Sequence, residues 1–307
     1  MTLGEKRFNR KLDKIRRLEE AGVLAKKKKR SRALSKFMSN KLAVIGAVVF
    51  TIILLACLLA PLLTPYDPAA FDLLSITKPP SAEHIFGTDK IGRDLFARVL
   101  YGGRVSIMVA GAGSIGGAII GVILGCFAGY KGGWFDKITM RASEIFMSFP
   151  QLILVLMMVS IMGQSTRNIV IIFIFTGWSG VYRQARAAML SIREEEYVQA
   201  LHAFGLNDFI VCFKHMLPNA LSPVIVNITI NFATMILEEA SLSFLGLGVP
   251  LDVPTWGNIL NAAQDLYTLQ NAWWIWLFAG IVISLFVMSI SFVGDGIRDT
   301  TDSSIQG

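Results

Sequence analysis

Six stretches of this chain are apolar over the length a lipid bilayer demands, and that feature limits what it can fold into more than any other. They cover residues 42–63, 105–129, 145–162, 169–189, 224–247 and 273–293. A helix needs about 20 mostly apolar residues to cross the hydrocarbon core. Inside that core no water satisfies peptide groups, so each stretch must close its own hydrogen bonds. The expectation is an all-α membrane protein with six transmembrane helices. At 53% hydrophobic and 17% charged residues, the composition is too apolar for an ordinary soluble domain.

Charge sets the orientation. Fifteen of the 29 Lys and Arg residues precede residue 42. Basic residues near membrane ends favour the cytoplasm. Six crossings then put both termini there, with the islands 130–144 and 190–222, and leave 64–104, 163–168 and 248–272 outside. Segment 248–272 carries no Lys or Arg. Segment 64–104 is an exception, with Lys78, Lys90, Arg93, Arg98 and Arg104, but it is long enough for the charge rule to weaken. The expected organisation is a cytoplasmic basic tail (1–41), a first transmembrane helix (42–63), an external segment (64–104), a five-helix core (105–293) and a cytoplasmic C-terminal tail (294–307). The long charged tail before the first stretch argues against a cleaved signal peptide. Within it, Phe8, Leu12, Ile15 and Leu18 recur at helical spacing and a basic run follows at 26–30. An interfacial helix on anionic lipid and a solvated tail fit equally well.

The island 190–222 is charged and amphipathic. Tyr197, Val198, Leu201 and Phe204 form one face of a short helix. Gly205 follows where a helix stops in a left-handed residue. Asn207 or Asp208 can cap a second helix bearing Phe209, Ile210, Phe213 and Leu217, and Pro218 interrupts it. Periodicity alone leaves open a loop lying on the bilayer.

Two stripes stand out within the spans. Asn227, Asn231, Thr234, Glu238 and Ser241 recur at spacings of 4, 3, 4 and 3 and share one helix face. An acid that faces lipid costs a few kcal/mol, so such a stripe lines a cavity or packs against a partner. Glu239 lies about 100° away and requires another neighbour. Gly113, Gly117, Gly121, Gly125 and Gly129 recur every four residues and allow a second helix to approach closely, in this chain or another.

Motifs for chemistry are missing. The sequence has no G-x-x-x-x-G-K-[ST], no H-E-x-x-H and no C-x-x-C. His84, His202 and His215 are scattered, and Cys57, Cys126 and Cys212 read as small apolar filler. The pattern describes a pathway rather than a reaction.

The spacing within the island adds a resemblance. Gly205 and Leu217-Pro218 fall where permease subunits of ABC importers carry their cytoplasmic "EAA" signature, with Ala200 at its first Ala. Gln199 stands in place of Glu, Leu201 in place of the second Ala, and His215 in place of an apolar residue. "KHMLPN" (214–219) is similar to the ending of the motif in peptide importers. "FGTDKIGRDLFARVLYGGRVSI" (86–107), "EEASLSFLGLGVPLDVPTWGNIL" (238–260) and "GDGIRD" (294–299) resemble segments of the C-type subunits of the dipeptide, oligopeptide and nickel branch. The likeness covers roughly residues 35–300, in order.

That resemblance implies the type I ABC importer permease fold in a bacterial cytoplasmic (inner) membrane. It implies a coupling helix in the island, seated in a groove of an ATPase subunit. It also implies a homologous second permease, two ATPase subunits that bind ATP and Mg, an external solute-binding protein and a peptide substrate, with no cofactor in this chain and no nucleic acid partner. Relatives handle dipeptides, oligopeptides, glutathione-like molecules and chelated nickel. A secondary transporter working alone would normally show inverted repeats, absent here. A structural scaffold would have no need of the polar stripe.

Overall fold

The computed structural model describes residues 35–302, and its regular elements are helical, with no sheet among the described residues. The amphipathic face and the basic run predicted in the tail lie outside the described residues. The principal helices are α1 (Lys41–Leu58), α2 (Leu95–Lys131), α3 (Gly133–Ser148), α4 (Gln151–Met162), α5 (Thr166–Thr176), α6 (Trp178–Arg193), α7 (Glu196–Ala203), α8 (Leu217–Phe244), α9 (Trp256–Leu260) and α10 (Trp274–Asp302).

Six uniform spans do not form. Lys41–Leu58, Leu95–Lys131, Pro223–Phe244 and Trp274–Thr300 are each long and apolar enough to cross a membrane. A fifth arises if α3 and α4, which meet at 90°, make one broken span. The break falls inside the predicted stretch 145–162. Pro150 has no N–H and disfavours a helical residue before it, and Phe149 is extended at φ −98°, ψ 140°. Residues 133–148, assigned largely to an island, are therefore helical. The stretch 169–189 is divided at Gly177 between α5 and α6. The apolar count hides this division because α6 mixes Arg183, Arg186 and Arg193 with apolar residues.

α2 begins at Leu95 rather than at 105, because the Asp94 carboxylate accepts the Ala97 N–H at 2.7 Å and caps the helix there. Asp94 is itself fixed, 2.9 Å from His84 Nδ1. With 37 residues, α2 is about 55 Å long, well beyond a bilayer core of about 30 Å. α1 packs on α10, where Gly46 leaves no room for a side chain beside Phe292 and the Ser289 carbonyl. Its other side exposes Leu42, Ile45, Val48, Ile52 and Leu55, an apolar ridge of the kind lipid covers.

The glycine stripe meets its neighbour within this chain. A Cβ on Gly117 would lie 3.0 Å from the Gly177 carbonyl carbon, and one on Gly121 would lie 2.6 Å from the Trp178 oxygen. One on Gly125 would meet the Tyr182 oxygen at 2.5 Å, and one on Gly129 the Arg186 oxygen at 2.6 Å. Trp178, Tyr182 and Arg186 also recur every four residues along α6, so the two backbones touch over successive turns. The break at Gly177 belongs to the same contact.

The basic residues of segment 64–104 are all engaged locally, three of them with carboxylates. Arg93 Nε donates to Asp89 at 2.7 Å, and the buried Arg98 lies 3.8 Å from the same carboxylate and donates to the Pro68 carbonyl at 3.1 Å. Arg104 donates to the Cys57 and Leu58 carbonyls and so closes the end of α1. Lys78 donates to Ser75 Oγ at 3.0 Å, and Lys90 reaches Asp265 at 2.8 Å. Hydrogen bonds from Lys90 and Thr268 hold the Asp265 carboxyl well below its usual range.

Candidate functional site

The island between α6 and α8 folds into a braced elbow. α7 ends at Ala203, and Gly205 takes φ +72°, the left-handed conformation expected of it. The Leu206 N–H reaches back to the Leu201 carbonyl at 3.3 Å, a six-residue closure that marks a Schellman turn. Asn207 Oδ1 accepts the Phe209 N–H at 2.8 Å and caps the next turn, Asp208–Ile210. A π-helix, Val211–Met216, then runs directly into α8. Pro218 does not interrupt this helix. It is the second residue of α8, directly after the π-helical turn, and the helix continues through it without the hydrogen bond that its missing N–H would have given.

Burial divides the elbow into an anchored side and an open side. Val198, Val211, Cys212 and Met216 are buried with Cys126 and Tyr130 of α2 and Ala185 and Met189 of α6. Burial pushes the Cys212 thiol up to about 11, so it is an inert packing group. Tyr130 Oη donates to Asp208 at 2.8 Å, and Asn219 Nδ2 donates to Tyr197 Oη at 3.1 Å. Gln199 and Ala200 are exposed, Leu201 and Leu217 half-buried, and Pro218 exposed. Helical spacing puts Phe204 on one face with Tyr197, Val198 and Leu201, of which Val198 is buried and Leu201 half-buried. Phe204 itself is 81% exposed, because α7 ends just before it and the chain turns away. Phe209, 64% exposed, is the other large apolar side chain that the elbow leaves open.

The polar stripe lies on α8 as spaced. Thr234 and Ser241 are exposed, and Asn227, Asn231 and Glu238 are half-buried, whereas Met235 at the flank and Ile236 on the opposite side are fully buried. Asn231 Nδ2 donates to the Gly177 carbonyl at 3.4 Å, at the break between α5 and α6. Gln151, the first residue of α4, donates to Glu238 Oε2 at 3.0 Å. Sequence reasoning missed Gln151, although a polar residue directly after a proline in an apolar run was a visible signal.

Glu239 has a different environment, as its angle on the helix requires. It is fully buried and accepts hydrogen bonds from Ser106 Oγ of α2 at 2.7 Å and from Ser243 Oγ at 2.8 Å. Ser106 in turn accepts the Trp256 N–H at 3.2 Å. The junction ties α2, α8 and α9 together. Ser106 could not be found from the sequence, because it does not stand near Glu239 along the chain.

A long-helix membrane bundle with a braced elbow outside its spans, and a polar face on the helix that continues the elbow, defines a multi-pass transport subunit. Residues 121–306 match the family described as binding-protein-dependent transport system inner membrane component, and the chain belongs to that family. Residues 30–80 also match the N-terminal transmembrane domain of oligopeptide transport permease C. The chain is 40% identical to a Brucella suis protein provisionally named as a peptide permease, over 89% of this chain and 90% of that one. It is 39% identical to the dipeptide transport system permease protein of Alkalihalophilus pseudofirmus, over 89% and 90%. It is 36% identical to the oligopeptide transport system permease protein of Bacillus subtilis, over 89% of each.

Proposed function

We propose that this chain forms half of the translocation pathway of an ATP-driven peptide importer in a bacterial cytoplasmic membrane. Relatives named for dipeptide and oligopeptide transport favour peptides over chelated nickel or glutathione-like solutes. Its partners are a homologous permease subunit, two ATPase subunits that carry ATP and Mg, and an external solute-binding protein. Both termini and the elbow face the cytoplasm.

One observation carries the reading. The elbow and the polar face belong to a nearly continuous helical run from Asp208 to Phe244. A push on the exposed Phe209 is carried along this run to Asn231, Thr234 and Glu238 with no loop in between, past Pro223, which removes one helical hydrogen bond on the way. Gln199, Ala200, Leu201, Gly205, Leu217 and Pro218 form the coupling loop, and Asn227, Asn231, Thr234, Glu238 and Ser241 form the wall.

Gly205→Val tests the lever. A Cβ there meets nothing within 4 Å, so the cost comes from the left-handed backbone alone, about 1–2 kcal/mol for a non-glycine residue. The subunit is expected to insert and to copurify with its ATPase, while peptide-stimulated ATP hydrolysis and uptake fall severalfold. Normal stimulation in the variant complex would remove Gly205 from the lever. The wall is tested by single cysteines in the assembled importer. Those at Asn231, Thr234 and Glu238 are expected to react with a small hydrophilic thiol reagent, and those at Ile228, Phe232 and Met235 to stay protected. Equal labelling of both faces would make the stripe a packing seam.

A further inference from the structure

Glu238 is an acid in a membrane helix without a counter-ion. None of the ion pairs among the described residues includes it, and its one hydrogen-bond partner is the neutral Gln151 amide. Its neighbour Glu239 shows what a structural carboxyl at this depth looks like, sealed from solvent and held by two hydroxyls. Glu238 is half-buried, on the same face as the exposed Thr234 and Ser241. An acid within a span is held by a cation or by water in a cavity.

Its partner Gln151 borders a cavity of about 200 Å³, which Glu238 itself does not line; Thr176, Ser179 and Asn231 supply its other polar side chains and Phe146, Phe149 and Leu154 its apolar wall. One water needs only about 15 Å³ by this kind of measure, so the space admits one end of a solute. It lies where the breaks at Pro150 and Gly177 come together, and broken helices turn backbone polar groups toward such cavities. Gln151 Nε2 is committed to Glu238, which leaves its Oε1 free to accept.

We propose that Glu238 and Gln151 form a transient acceptor for the α-ammonium group of a passing peptide, an inference that rests on the pathway reading above. The ammonium donates to the Glu238 carboxylate and the Gln151 Oε1, while the rest of the peptide extends along the open face of α8. Because the site is only half-enclosed, it lowers the barrier for a cationic end without trapping it. An N-acetylated peptide keeps its backbone but loses the charge and two donors, so it should pass this point without the benefit.

The test uses the importer complex reconstituted in liposomes with Thr234→Cys as reporter, one helical turn from Glu238. The native cysteines are buried and contribute little background. An uncharged methanethiosulfonate reagent is applied with a mixture of dipeptides or with the same mixture N-acetylated. The free-amino mixture is expected to protect the reporter at about tenfold lower concentration, the scale of a charge-assisted hydrogen bond. Adding Glu238→Gln is expected to erase that difference while reporter labelling persists. Equal protection by both mixtures, or protection by neither, overturns the ammonium site and leaves the pathway intact. A reporter that never reacts removes the pathway reading and the ammonium site together.

Discussion

Gly125→Val is expected to leave little folded protein in the membrane fraction. Its Cβ would lie 2.5 Å from the Tyr182 carbonyl oxygen and 2.9 Å from Ala185 Cβ. The first contact is with backbone, which no rotamer change relieves, so α2 and α6 must separate. Overpacking a tight contact costs about 1–3 kcal/mol where side chains can adjust, and here the adjustment would undo neighbouring contacts at Gly121 and Gly129 as well. Gly111→Ala on the same helix is the control. Its Cβ would meet only Phe232, at 3.7 Å, an ordinary contact. Size-exclusion recovery and thermal unfolding in detergent should separate the two variants clearly. Equal recovery would mean that the stripe is not the seam between α2 and α6.

Glu239→Ala is expected to destabilise the bundle by roughly 2 kcal/mol or more. It strips Ser106 and Ser243 of their shared acceptor inside a sealed site, and each buried group left unpaired costs about 1–3 kcal/mol. Ser106 also holds the Trp256 N–H, so the loss reaches α9. Glu239→Gln keeps the volume and one acceptor oxygen and is expected to lose less. The readout is the thermal midpoint of the purified complex, with Glu238→Ala for comparison. Glu238 gives up only the Gln151 contact and should shift the midpoint far less. A larger shift for Glu238→Ala would reverse the roles assigned to the two acids.

The elbow was legible because its geometry is local. A helix that must stop, a residue that can take positive φ and a capping side chain lie within four residues of one another, at Phe204, Gly205 and Asn207. The span count was less legible because hydropathy measures length and not continuity. Pro150 signals the break between α3 and α4, yet only the 90° bend shows that the chain turns there rather than kinking slightly. Phe204 misled for a related reason: helical spacing assigns a face only while the helix lasts.

By itself the sequence determined the helical class, the membrane spans of α1, α2, α8 and α10, the stop at Gly205 and the two stripes on α2 and α8. Each depends on residues within one or two turns, and local sterics and burial in lipid decide it. The tertiary structure alone decided what each stripe faces. It set the glycines of α2 against the backbone of α6, assigned Glu239 to Ser106, a residue 133 positions away, and put Gln151 on Glu238. Adjacent acids of identical chemistry thereby came to differ, one sealed among hydroxyls and one half-exposed beside the Gln151 amide. The physical reason is that a pattern along a helix specifies a direction around its axis, while the atom met in that direction belongs to another helix whose placement depends on the packing of the whole bundle.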